Sequence, residues 1–125
     1  MARRNPEYHS CVAIITWWAF ACRMFKVPEF LLMHIPNQAA GSPIRGMHLK
    51  RMGVRSGVPD YFLAVARGGF HGLYIEVKAA GGRLSDEQKK LQISLAEQGY
   101  LVKTCNSTDE TRAAIEGYLT PYKQN

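Results

Sequence analysis

The sequence lacks paired cysteines, long hydrophobic runs, internal repeats and low-complexity linkers, and each absence narrows what the chain can be. Its three cysteines, an odd number with no C-x-x-C, argue against a disulfide framework and against a zinc knuckle. Cys11 and Cys22 fall near one face of a helix but about 16 Å apart, which no disulfide spans. Free thiols suit a reducing cytosol. The four histidines (His9, His34, His48 and His71) stand at no metal-binding spacing, so no zinc site is expected. The apolar run Cys11 to Cys22 is twelve residues long, short of the roughly 20 that a membrane helix needs. Arg3 and Arg4 before it and Ala19-Phe20-Ala21 within it faintly suggest a signal peptide. Glu7 and His9 interrupt the basic flank, Trp17 and Trp18 are bulky for such a segment, and cleavage would delete a core helix. The run is read as that helix, with no membrane partner.

Acid is the scarcer charge: 10 Asp and Glu against 16 Lys and Arg leave a net charge of +6 and a pI near 9.4. That balance favours a polyanionic partner. A hydrophobic fraction of 46% and two tryptophans agree with a compact globule. A chain of 125 residues is expected to form one domain, 1–125, with its core from about residue 5 to 119.

In chain order, Asn5-Pro6 starts a helix, with asparagine as N-cap and proline at the first helical position. Tyr8, Val12, Ile15, Ala19 and Cys22 recur at helical spacing, broadened by Ile14, Trp18 and Phe25. So broad a face suggests burial on more than one side, and Trp17, Trp18, Phe20 and Phe25 are the candidate patch for a second subunit. Phe30 to Ile35 reads as the first strand, and Asn37 as a turn former. Ser42-Pro43 opens a short helix to Met52 that carries Arg45, His48, Lys50 and Arg51 and ends at Gly53. Arg55 lies just beyond. Such a basic helix can hold a phosphate backbone, or simply form a solvated face. Ser85 and Gln88 form a capping box for a helix that runs to Gly99. Tyr100 to Cys105 reads as a strand, Thr108 to Leu119 as a closing helix, and Pro121 onward as a frayed tail.

The stretch Gly53 to Lys78 carries the chemistry. Tyr61 to Ala66 and Leu73 to Lys78 read as an antiparallel hairpin centred near Gly69. That centre sets Asp60 opposite Lys78 and Phe62 opposite Glu76, so Asp60, Glu76 and Lys78 share a face unless the loop shifts the register by one. One or two carboxylates suffice for a hard divalent cation that keeps several waters, and a lysine beside them can orient a water or stabilise charge on phosphorus. The plainer alternative is a salt bridge across the hairpin.

Pro59-Asp60, followed sixteen residues later by Glu76-Val77-Lys78, is similar to the P-D…(D/E)-x-K signature of a large nuclease superfamily. H-I-P-N at 34–37, G-V-R-S-G-V-P-D at 53–60, G-L-Y-I-E-V-K at 72–78, G-R-L-S-D-E-Q at 82–88 and Q-G-Y at 98–100 follow in order. Together they resemble the VRR-NUC family, the virus-type replication and repair nuclease domain, over nearly the whole chain. The resemblance implies an α/β fold with a restriction-endonuclease-like αβββαβ core, a mixed central sheet flanked by helices. It implies a DNA endonuclease in which Asp60, Glu76 and the backbone carbonyl of Val77 hold Mg²⁺ or Mn²⁺. Lys78 would serve the attacking water and Gln88 would reach the scissile phosphate, unless Gln88 only caps its helix. Glu7 either joins the metal site, as an acidic residue often does in the family, or merely complements the helix dipole. Arg45, Lys50, Arg51, Arg55 and Arg83 form the expected DNA-binding set. Small members of the family resemble Holliday-junction resolvases, which implies branched DNA, a homodimer and the cytoplasm of a bacterial or phage-infected cell. The alternatives are a non-catalytic nucleic-acid-binding or assembly module on the same fold, and a nuclease acting on ordinary duplex.

Overall fold

A computed structural model describes residues 6–36 and 43–120, so the expected cap at Asn5, turn at Asn37, cap at Ser42 and tail from Pro121 lie outside the described residues. Its elements are α1 (Pro6–Phe25), β1 (Leu32–His34), α2 (Pro43–Arg51), β2 (Tyr61–Leu63), β3 (Leu73–Val77), α3 (Asp86–Glu97), β4 (Leu101–Cys105) and α4 (Thr108–Leu119), with a single 3-10 turn at Glu29–Leu31. The strands form one sheet in the order β1-β2-β3-β4. The first three are antiparallel neighbours, whereas β4 joins β3 in parallel, as the intervening α3 allows. The result is a mixed sheet flanked by helices, consistent with a restriction-endonuclease-like fold.

α1 and α4 pack together over one face of the sheet, where Leu63, Leu73 and Ile75 meet Ile14, Trp18, Ile115 and Leu119 in the core. The buried stripe of α1 is Ile14, Trp18, Ala21 and Cys22. It is rotated from the expected face, and Tyr8 and Val12 are exposed. Trp18 sets the rotation: its indole fills the core while Nε1 donates to the carbonyl of Glu29 at 2.8 Å. Glu29–Leu31 coils where a strand was expected, so β1 begins at Leu32 and Phe30 points to solvent. The other face of the sheet carries Phe62 stacked on Tyr74, with Tyr100 edge-on to both.

The hairpin is shorter and differently registered than its sequence suggests. Arg67 and Phe70 exchange backbone hydrogen bonds around Gly68-Gly69, both at positive φ, a two-residue turn that favours glycine. Below it, three residues (Ala64, Val65 and Ala66) oppose only two (His71 and Gly72) before the ladder starts at Leu63 and Leu73. The extra residue is a bulge. The centring of the turn between Gly68 and Gly69 and this bulge each move the ladder by one, two in all from the expected register, so Phe62 faces Tyr74 rather than Glu76. A shift of two preserves which face each side chain takes. Extended past Tyr61, this register sets Asp60 across from Glu76 rather than Lys78. Among the described residues, no helix is long and apolar enough to cross a membrane.

Candidate active site

Asp60 sits where β2 begins, after the buried Pro59. Both ends of the residue are held. Its carbonyl accepts from the backbone N–H of Ile35 at 2.7 Å and from His34 Nδ1 at 3.0 Å, and its Oδ2 accepts from the N–H of Val77 at 2.7 Å. Since a carbonyl only accepts, Nδ1 of His34 carries the proton. The His34 ring lies on Tyr61, with the Cys11 thiol beside it. The N–H of Val77 points to Asp60 and that of Lys78 to the Cys105 carbonyl on β4. Within a strand each residue's N–H and C=O point the same way, so the Val77 carbonyl turns to the Asp60 side.

Glu76, on β3, is 4% exposed. Its Oε1 accepts from Gln88 Nε2 at 3.0 Å and lies 3.8 Å from Lys78 Nζ. Gln88 also completes the capping box of α3, its Oε1 accepting from the N–H of Ser85 at 2.8 Å while its own N–H donates to Ser85 Oγ. Of the two roles foreseen for Gln88, the cap is present, and the other end of the amide holds a carboxylate. The close fit extends to Gly57, whose φ is +85°. A Cβ there would stand 2.9 Å from the Glu87 carbonyl carbon and 3.0 Å from the Gln88 nitrogen. Only glycine lets the loop before Asp60 lie so close to the start of α3.

Burial raises the pKa of both carboxylates. Glu76 is pushed up to about 7, first by desolvation and then by the Asp60 carboxylate, with Lys78 partly offsetting and Glu7 adding to it. Asp60 is raised by desolvation against the opposing pull of the Val77 N–H and His34, and Glu7 again raises it. Beside Asp60 opens a cavity of about 560 Å³, lined by Glu7, Ser10 and Cys11 from α1, by Val77 and Lys78, and by the start of α4 at Ser107 and Thr108. Glu7 therefore faces the same space as Asp60. Among the described residues, no group of three or more His, Cys, Asp or Glu gathers closely enough to hold a metal by itself. Two carboxylates and a carbonyl remain, which fits an ion that keeps waters in its shell and does not fit zinc.

The structure thus brings together Asp60, Glu76, Lys78 and Gln88, with Val77 between them and Glu7 across the cavity. Arg45, Lys50, Arg51, Arg55 and Arg83 do not join this cluster: they are exposed, on α2, on the loop after it and on the loop before α3. Reading the chain by motif passed over His34, Tyr61 and Cys11. The signal for His34 was its place in H-I-P-N, but its partner is a carbonyl 26 residues away.

The VRR-NUC domain family profile matches residues 2–109. A solved structure described as a VRR_NUC domain protein superimposes with a TM-score of 0.76 at 27% identity, covering 94% of this chain and 90% of that one. Among proteins of curated function, none is similar enough to count as a match.

Proposed function

Because the chain belongs to the VRR-NUC domain family, we propose that it is a metal-dependent DNA endonuclease that hydrolyses phosphodiester bonds at the Asp60–Glu76–Lys78 cluster. The observation that carries this reading is the pair of mutually repelling carboxylates held by hydrogen bonds beside an amine, with Asp60 and Lys78 lining a cavity. Two like charges kept half in the dry are costly for a fold that needs them only as a salt bridge. They suit a site that awaits a cation. Asp60, Glu76 and the Val77 carbonyl would hold Mg²⁺ or Mn²⁺. Such an ion, when bound, lowers the pKa of a water and offsets phosphate charge. Lys78 has its ammonium group next to Glu76, where it can orient that water or meet charge growing on the phosphate. Gln88 steadies the carboxylate of Glu76, and Glu7 lines the far side of the site.

The substrate we favour is branched DNA, cut by a homodimer. Resolving a four-way junction needs two strands cut, and two-fold symmetry supplies two sites from one surface. Trp18 is buried and cannot serve as the patch, but Phe20, Met24 and Phe30 are 71%, 80% and 78% exposed on or next to α1. Aromatic and methionine side chains of this kind are enriched at interface cores. Incubating labelled duplex, flap, fork and four-way junction with the protein, with and without Mg²⁺, tests the reading. Cleavage confined to the Mg²⁺ arm and strongest on the branched substrates is expected. No cleavage of any DNA with either Mg²⁺ or Mn²⁺ would leave a binding module instead.

A further inference from the structure

α2 adds nothing to the hydrophobic core: none of its residues is buried, and it takes no main part in the packing between elements. Leu49 alone is half-buried and marks the side facing the protein. At about 100° per residue, the side opposite Leu49 is the line Ile44, Met47 and Arg51, flanked by His48 and Lys50. Ile44 and Met47 are 66% and 55% exposed. The crest of this helix is therefore two bare aliphatic side chains set among cations. From Phe30 to Pro59 the chain has no Asp or Glu, so nothing in that segment repels a phosphate.

We propose that the crest of α2 recognises DNA at unstacked steps, with Ile44 and Met47 against exposed base faces and Lys50 and Arg51 on the flanking phosphates. This rests on the nuclease reading for the choice of DNA and goes beyond it in naming what selects the substrate. A helix that only held phosphates would have no use for aliphatic groups at its crest. Base faces in a regular duplex are covered, so apolar side chains reach them only where the stack is broken or can be opened. Pairing of the crest with a second copy of itself would set Lys50 and Arg51 against their own kind. The helix also connects to the chemistry. It ends at Gly53 with a left-handed C-cap, the N–H of Gly53 donating to Lys50 and that of Val54 to Leu49. The loop that follows docks at Gly57 on the start of α3, next to Gln88.

Fluorescence anisotropy in EDTA, where binding is read without cleavage, tests this with a four-way junction, a gapped duplex and a fully paired duplex of equal length. Ile44→Ser/Met47→Ser should weaken binding to the junction and the gapped DNA about tenfold and leave the paired duplex and the salt slope unchanged. Arg51→Gln should weaken all three alike and reduce the salt slope by about one. Equal losses on paired and branched DNA, or no loss, would overturn the proposal. So would a double variant that fails on anionic phospholipid vesicles but not on DNA, or one that turns a sedimenting dimer into a monomer. These readouts are independent of cleavage, so an inactive wild-type protein would count against the nuclease reading and leave this contrast intact.

Discussion

At the scale of single residues, the site holds carboxyl groups where burial and their neighbours disfavour charge, and that has a measurable consequence for stability. The Glu76 carboxyl is raised from an ordinary value of 4.5 to about 7, so the metal-free folded state keeps a proton that the unfolded chain releases across that window. The stability tied to that proton is fully present below about pH 4.5 and lost as pH rises through 7. The loss is on the order of 3 kcal/mol. Glu76→Gln keeps the hydrogen-bonding shape and removes the charge. Denaturant titrations from pH 5 to 8 should therefore show the variant gaining on the wild type as pH rises; parallel curves would mean Glu76 is charged throughout. His34 is hydrogen-bonded to the Asp60 carbonyl, which places it to act through Asp60. Losing its hydrogen bond to the Asp60 carbonyl in His34→Ala should lower kcat about tenfold with KM little changed, and His34→Asn should restore part of it. Equal kcat in all three proteins would reduce His34 to packing. Asp60, Glu76 and Lys78 were legible because a short motif names them. His34 was not, because a hydrogen bond to another strand's backbone leaves no spacing to read.

At the scale of elements, local chemistry is legible in the sequence and packing geometry less so. The capping box at Ser85 and Gln88 and the glycine stop at Gly53 form as their residue types require. The hairpin register escaped because the bulge at Ala64 to Ala66 depends on how β2 meets its neighbours, not on turn residues. The net shift of two, one step from the bulge and one from the turn's centre between Gly68 and Gly69, kept the carboxylates together; a shift of one would have turned Asp60 away. The face of α1 was misjudged for a similar reason: periodicity places a stripe, but only the Trp18 contact to Glu29 chooses its rotation. α1 ends on Lys26, which holds φ 56° where glycine is the usual residue, with the N–H of Lys26 donating to Arg23 and that of Val27 to Cys22. A left-handed lysine costs about 1 kcal/mol relative to glycine. Lys26→Gly should thus raise the denaturation midpoint without altering any activity. A lower midpoint would mean that glycine's freedom in the unfolded chain outweighs the relief.

At the scale of the whole molecule, the layout joins three features on one small fold: a basic helix, a buried carboxylate pair and an apolar outer face of α1. Phe20→Glu should leave the fold intact and, by burying charge at a two-fold contact, convert the sedimenting species at micromolar concentration from dimer to monomer. An unchanged dimer would place the contact elsewhere. The mixed sheet, the family and an outward Phe20 were legible in the sequence, whereas the burial of Trp18 and the exposure of Met24 and Phe30 followed only from the packed core. The most direct test of the central reading is single-turnover cleavage of labelled DNA by the wild type, Asp60→Asn and Lys78→Met, with Mn²⁺ affinity measured in parallel by calorimetry. The wild type should cut only when Mg²⁺ or Mn²⁺ is present. Asp60→Asn should lose both cleavage and Mn²⁺ binding, whereas Lys78→Met should lose most cleavage and keep the ion. Cleavage by Asp60→Asn at the wild-type rate would contradict the assignment of this site.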